Sequence, residues 1–225
     1  MKRTTLLLML IATGAAEASY VIEDTPTWRG DANTRWYEWE SFTSASADTG
    51  PNFPGNEAFP SGEALLFNFG AGAVISGDGN IYGFGGALNM HAYAYTDTDV
   101  QEVLANVSMH GTEMLYSQVM LVWNDGIEGG AEGFLAGTMS TNHWEEVDYG
   151  GGNIGAIANV SWSFDLSGLT ADIRQLGLLV QTAGPHSSLD TVSLDIQLAS
   201  VPAPGGLALL GLAALGRRRR RRVAC

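Results

Sequence analysis

Residues 159–166 read Asn-Val-Ser-Trp-Ser-Phe-Asp-Leu, and residues 191–198 read Thr-Val-Ser-Leu-Asp-Ile-Gln-Leu. In both stretches a large apolar side chain alternates with a polar one. Successive side chains of a β-strand point to opposite faces, so this period of two predicts strands with one face in a core and the other polar. These are the clearest strand signals in the chain, and they decide its fold class.

Four further segments have the composition of strands: residues 64–69, 100–109, 117–123 and 173–180. Turn signals lie between them, at 77–80 and 124–126, and residues 83–86 (Gly-Phe-Gly-Gly) predict a bulge or a close backbone approach. No long amphipathic helix is apparent. The pattern predicts an all-β sandwich, with a jelly roll as the expected topology because two packed sheets limit the number of exposed edges.

The beginning of the chain has the three parts of a secretory signal peptide. Met1, Lys2 and Arg3 form a basic region, and residues 4–13 are mostly apolar. Ala16 and Ala18 then provide the Ala-x-Ala pattern that signal peptidase cleaves. Residues 1–18 are therefore predicted to be removed after export, and residues 19–200 to form one extracellular domain.

The segment 201–225 also has three parts. Val201, Pro202, Ala203 and Pro204 are extended, because proline restricts both its own φ and the residue before it. Residues 205–216 carry no charge and are apolar on all sides, which predicts a short lipid-facing helix. Six arginines follow and act as a stop-transfer signal at the cytoplasmic face: Arg217, Arg218, Arg219, Arg220, Arg221 and Arg222.

A buried helix with a solvated basic tail is the alternative, since twelve residues span only about 18 Å of a bilayer core of about 30 Å. Snorkelling arginines and the residues from 201 onwards bring the segment closer to a spanning length.

The segment contains a Pro-x-Pro motif, then an apolar helix and then an arginine cluster. In this order of parts it resembles the PEP-CTERM sorting signal, although Ala203 stands where the motif in the family name has glutamate. The resemblance implies that an exosortase, a membrane protease-transpeptidase, recognises the Pro-x-Pro motif and removes the helix. The protein would then pass to the cell surface or to extracellular polymer. Gly205-Gly206 also resembles the GlyGly-CTERM class, which a rhomboid-type protease processes.

The charges of the chain are unevenly distributed. Residues 19–200 contain three arginines and no lysine against 23 acidic residues, a net charge of −20. Such a domain repels nucleic acid and other polyanions and tolerates salt. The single cysteine, Cys225, excludes an intramolecular disulfide.

Three tryptophans near the start of the domain are candidate ligand-stacking residues: Trp28, Trp36 and Trp39. Their exposed rings could stack on sugar faces. The alternative is that they cover an edge of the sandwich, with Trp36 and Trp39 on opposite faces of one strand.

Other signals of chemistry are weak. The sequence contains no complete motif for a cofactor or metal, although the oxygen-rich stretches 48–52, 78–80 and 97–99 leave a structural calcium ion as an alternative to ordinary turn chemistry. The acidic pair Glu145-Glu146 is the kind of residue pair that a glycosidase needs, but acidic pairs are frequent in this chain.

Residues 164–178 with 188–195 loosely resemble the closing strands of carbohydrate-binding jelly rolls, in which an Asp-x-Val step such as Asp190-Thr191-Val192 is common.

The sequence therefore predicts a secreted, surface-sorted, non-enzymatic protein of the bacterial envelope or of an extracellular polysaccharide matrix. Its expected partners are the secretion machinery with its signal peptidase, an exosortase, the membrane through the C-terminal helix, and extracellular polysaccharide. A carbohydrate-binding module is the first alternative, and a glycan hydrolase with a spatially assembled carboxylate pair is the second.

Overall fold

The computed structural model describes residues 24–56 and 62–199. These residues form two antiparallel sheets, and the predicted β-sandwich is confirmed. The predicted signal peptide (1–18) and sorting segment (201–225) lie outside the described residues. Within the described part of the chain, no helix has the length and apolarity needed to cross a bilayer.

The larger sheet contains seven strands: β1 (Thr34–Trp39), β3 (Val74–Ile75), β4 (Ile81–Tyr82), β6 (Val100–Gly111), β9 (Thr138–Asp148), β10 (Ile154–Asp165) and β12 (Ser187–Leu198). They are hydrogen-bonded in the order β3-β4-β12-β6-β10-β9. Strand β1 also pairs with β12, placing Trp36 opposite Asp195 and Trp39 opposite Val192.

The smaller sheet contains five strands: β2 (Ala64–Asn68), β5 (Asn89–Tyr95), β7 (Met120–Asn124), β8 (Glu132–Ala136) and β11 (Gln175–Gln181). Their order is β2-β5-β11-β7-β8. Two short 3-10 turns, Ala47–Thr49 and Tyr116–Gln118, complete the secondary structure of the described residues.

The apolar residues of the two deciding stretches lie in one core between the sheets. Val160, Trp162 and Phe164 of β10 are almost completely buried, as are Leu194 and Ile196 of β12. The smaller sheet adds Leu66, Met90, Leu121, Leu176 and Leu178 to the same cluster. Burial of one such large side chain stabilises the fold by about 1.5–3 kcal/mol, so the period-two pattern is the main source of stability.

Several local predictions are confirmed and one is corrected. Gly79 and Gly126 have φ values of 86° and 72°, as turn glycines do. A Cβ atom at Gly83 would lie 2.7 Å from the Gly86 carbonyl oxygen, so the predicted close backbone approach is present. The strand predicted from residue 117 begins only at Met120, because Tyr116–Gln118 form a 3-10 turn.

The outer face of the seven-stranded sheet is polar, as the alternation predicts, but its centre is not exposed. Ser161, predicted to face solvent, is buried, and so are Asn106 and Ser193 on the neighbouring strands. The chain around Asp24 crosses this face: its N–H donates to Asn106 Oδ1 at 3.1 Å, and Asn106 Nδ2 donates to the Asp24 carbonyl at 3.2 Å. Hydrogen bonding therefore satisfies side chains that have lost contact with water.

Candidate functional site

The three predicted stacking tryptophans have three different environments. Trp39 is completely buried, and its indole N–H donates to the Asn52 carbonyl oxygen at 3.1 Å. Trp36 is 37% exposed, but the Arg29 guanidinium lies 4.8 Å above its ring. Trp28 is partly buried. They do not form one flat exposed face, and Trp39 is corrected from a ligand-stacking candidate to a core residue.

Arg29 has a structural role besides covering Trp36. Its guanidinium binds the carboxylate of Asp195 on β12 in a bidentate pair, with Nε–Oδ1 at 2.5 Å and the second nitrogen to Oδ2 at 2.6 Å. The Asp195 side chain is 0% exposed and that of Arg29 is 17% exposed. The pair joins the segment before β1 to the centre of the seven-stranded sheet, and we assign this region to stability.

The outer face of the five-stranded sheet has the features of a binding surface. One cross-strand row consists of Leu65, Tyr93, Gly177, Val122 and Phe134, in neighbouring register on β2, β5, β11, β7 and β8. The next row consists of Phe67, His91, Leu179, Met120 and Ala136. We call these ten residues the ring face.

The ring face is flanked by polar side chains at both ends of the strands. On one side Gln175 lies opposite both Tyr95 and Asn124, and Asn124 lies opposite Glu132. On the other side Asn89 is paired with Gln181. Phe134 is 69% exposed, a large apolar ring on a strand at the edge of the sheet. An apolar patch rimmed by polar residues is typical of an interaction site.

A shallow groove crosses the ring face above Gly177. It has a volume of about 170 Å³, and Tyr93 and Gln175 line it together with Val122, Asn124 and Phe134. A Cβ atom at Gly177 would lie 2.7 Å from Val122 Cγ2 and 3.0 Å from Tyr93 Cε1. The groove exists because this position has no side chain.

The ring of Tyr93 is held in place by its neighbours. Its hydroxyl lies 3.0 Å from His91 Nδ1, and His91 Nε2 lies 3.2 Å from Asn89 Oδ1. Since the amide oxygen can only accept, His91 donates from Nε2 and accepts the Tyr93 proton at Nδ1. Burial lowers the pKa of His91, which favours this neutral form, and burial also raises the pKa of the Tyr93 hydroxyl.

An amide pair lies beside the groove. Asn124 Nδ2 donates to Gln175 Oε1 at 3.0 Å, and Asn124 Oδ1 accepts from the Gly126 N–H at 2.9 Å. Each side-chain amide has two N–H donors, so the pair fixes its own orientation and keeps further donors for a ligand. Glu132 lies opposite Asn124 on β8, and besides Tyr93 it is the one ionisable side chain that lines the groove.

Several side-chain oxygens of the oxygen-rich stretches already bind other parts of the chain. Asn52 Oδ1 accepts from the N–H groups of Thr43 and Ser44, both at 2.8 Å. Asp97 binds Arg35, and Asp99 Oδ1 accepts from the Ile173 N–H at 3.0 Å. Among the described residues, no three His, Cys, Asp or Glu side chains converge as a metal site would require.

The candidate catalytic carboxylates do not face each other across a cleft. Glu145 and Glu146 are consecutive on β9, opposite Ile157 and Ala156 of β10, so their side chains point to opposite faces of the sheet. A different acid lies near a base on the same sheet: His110 Nδ1 is 3.0 Å from Asp190 Oδ2, and Asn80 Nδ2 donates to Asp190 Oδ1 at 2.6 Å. The hydrogen bond to Asp190 raises the pKa of His110.

No model of a known protein family matches the chain, and no curated protein sequence matches it significantly. The resemblance of the C-terminal segment to a sorting signal therefore stays a prediction.

The ring face was not predicted from the sequence. A signal for it exists in His91-Ala92-Tyr93-Ala94-Tyr95, which alternates large and small residues with period two. The alanines, rather than the rings, point into the core. The other members come from strands that are far apart in sequence, and only the sheet order brings them together.

Proposed function

We propose that the chain is a secreted, surface-sorted, non-enzymatic protein of the bacterial envelope or of an extracellular polysaccharide matrix. Residues 1–18 direct export, and residues 201–222 hold the protein at the membrane until an exosortase-type enzyme removes the apolar helix. The single observation that carries this proposal is the order of three parts in the C-terminal sequence: a Pro-x-Pro motif, an uncharged apolar stretch and six arginines, in an otherwise acidic protein.

We infer a jelly-roll topology for the exported domain. In support, β4, β12, β6 and β10 are neighbours in one sheet, and β5, β11, β7 and β8 are neighbours in the other. Consecutive strands thus alternate between the sheets at β4-β5-β6-β7, as two Greek keys wrapped into a sandwich require.

The second candidate function, carbohydrate binding, is favoured by the ring face. Aromatic rings and side-chain amides on an exposed, uncharged sheet surface suit a polymer of hydroxyl-rich units. A glycan hydrolase has less support, because the sequence pair suggested for it points to two sides of one sheet.

The delivery step is tested by deleting Arg217 to Arg222 and following the protein in cell fractions. We expect the deletion to misroute the protein between membrane and medium, because the stop-transfer charge is lost. The matched control replaces Arg217 to Arg222 by six lysines, which keeps the positive charge and should keep the wild-type distribution. Identical distribution of the arginine deletion and the wild type would remove the basis of the proposal.

A further inference from the structure

The ring face is partly exposed, uncharged in both of its rows and formed by all five strands of the smaller sheet, with β2 and β8 at its two edges. From Tyr93 on β5 to Phe134 on β8 there are three interstrand spacings of about 4.8 Å, so the backbones that carry the two rings lie about 14 Å apart. Gly177 and Val122 form the floor between them. The surface is thus an elongated track perpendicular to the strands, with a ring at each end.

The depth of this track indicates an extended ligand. Its groove of about 170 Å³ is smaller than the roughly 300–1,000 Å³ of pockets that enclose small molecules. A small molecule would stay largely in water here. A chain of repeating units laid along the track can contact both rings and the groove at once.

The charges of the domain indicate a neutral ligand. The domain between residues 19 and 200 has a net charge of −20, which repels polyanions at long range. Glu132 lies at the rim of the groove itself. Neither row of the ring face contains a lysine or arginine that would bind a carboxylate or sulfate.

We propose that the ring face binds a neutral polysaccharide chain that runs across β5, β11, β7 and β8. Tyr93 and Phe134 stack on the apolar C–H faces of its sugar rings, and the amides of Asn124 and Gln175 bind hydroxyl groups between them. The bond from the Tyr93 hydroxyl to His91 orients the first ring before the ligand arrives, which reduces the entropy that binding costs. This inference rests on the proposed function, since it identifies the matrix component that the exported domain contacts.

The test is native electrophoresis of the full-length chain in gels that contain a single polysaccharide. The neutral probes are barley mixed-linkage β-glucan, soluble starch and dextran, and the anionic probe is alginate. We expect at least one neutral gel to retard the wild-type chain, and the alginate gel not to.

Phe134→Ala should weaken this retardation about tenfold, the loss that corresponds to one stacking contact of about 1.4 kcal/mol. The variant should fold normally, because the ring is mostly exposed. Phe84→Ala is the matched control: this phenylalanine is 65% exposed and lies next to His186, away from the ring face. Its retardation should equal that of the wild type.

Tyr93→Phe provides a second variant that keeps the ring but removes the hydroxyl. It should weaken retardation less than Phe134→Ala does. Retardation in no neutral gel, retardation only in alginate, or equal weakening by Phe84→Ala and Phe134→Ala would each overturn the proposal. So would a dimer of the wild-type chain that Phe134→Ala dissociates, since a second copy would then cover the face. If the chain reaches the cell surface but no neutral gel retards it, the ligand assignment fails while the proposed function stands.

Discussion

At the scale of single residues, Arg29 neutralises a carboxylate that has no contact with solvent. A buried ion pair contributes little net stability, but removal of one member leaves the other with an unfavourable desolvated charge. We expect Arg29→Met to lower the free energy of unfolding by about 3 kcal/mol, measured by urea denaturation. The variant also removes the guanidinium from above Trp36 and should increase the exposure of that indole to a fluorescence quencher.

Asp195→Asn is the matched control for this pair. The guanidinium is partly exposed and can regain water, whereas the carboxylate cannot, so Asp195→Asn should cost less than Arg29→Met. Equal losses, or a larger loss for Asp195→Asn, would contradict the role assigned to burial.

His110 provides a pH prediction. Its folded-state pKa is raised above the ordinary value of 6.5, first by the hydrogen bond to Asp190. The stabilisation from this group is therefore fully present below about pH 6.5 and is lost as the pH rises through the folded-state pKa. It should stay below about 1 kcal/mol, because the imidazole is 42% exposed and solvent screens the pair.

The measurement compares the melting temperatures of wild type and His110→Gln between about pH 5 and pH 9. The advantage of the wild type should be largest at the acid end of this range and should shrink towards the alkaline end. An advantage that grows with pH would show that the sign is wrong.

At the scale of elements, β11 depends on Gly177. A methyl group there would contact Val122 and Tyr93 at distances that require both side chains to shift. We expect Gly177→Ala to destabilise the protein by about 1–3 kcal/mol, the usual range for overpacking. Gly168→Ala is the control, since no atom lies within 4 Å of a Cβ at that position. Thermal unfolding of the two variants should separate them clearly, and equal melting temperatures would mean that the sheet adapts without cost.

The strands that the sequence predicts are those with an ordinary amphipathic pattern. In β10, Val160, Trp162 and Phe164 are both large and buried, so size and burial give the same signal. In β5 the relation is reversed: Ala92 and Ala94 face the core while His91, Tyr93 and Tyr95 face outwards. A pattern that equates large apolar residues with the core does not find such a strand, and the ring face was missed for this reason.

Strand β9, at the edge of the seven-stranded sheet, also escaped prediction. Strand β9 is 11 residues long, but most of its residues are exposed and polar. It pairs only with β10, so neither hydrophobic alternation nor burial marks it in the sequence.

The tryptophans show what alternation within one strand can and cannot predict. It correctly places Trp36 and Trp39 on opposite faces of β1. It cannot predict that Arg29 covers Trp36, because Arg29 is held there by Asp195, 166 residues further along the chain.

At the scale of the whole molecule, residues 19–200 should fold as a soluble, monomeric, β-rich domain without a cofactor. The core cluster is built within residues 37–198, which supports independent folding. Circular dichroism and sedimentation of this fragment test the prediction. An unfolded fragment that folds only in the full chain would contradict it.

Salt should stabilise this domain by screening its net charge of −20. We expect calcium and magnesium chloride at equal ionic strength to raise the melting temperature equally, because the oxygen-rich loops hydrogen-bond their own chain. A larger rise with calcium would identify a specific site, since a ligand that binds only the folded state stabilises it.

We also expect that the purified protein does not hydrolyse the polysaccharides that it binds. Reducing-sugar release from barley β-glucan, starch and dextran should stay at the level of the buffer. Release that Glu145→Gln or Glu146→Gln abolishes would favour the hydrolase instead.

We propose that the chain is exported, sorted and processed at both ends. The most direct measurement is the intact mass of the protein recovered from the surface of the producing cells, with sequencing of its two terminal peptides. We expect an N-terminus near Ser19 and a C-terminus close to Pro204, with no peptide that contains Arg217 to Arg222. A surface protein that retains Met1 or the six arginines would contradict it.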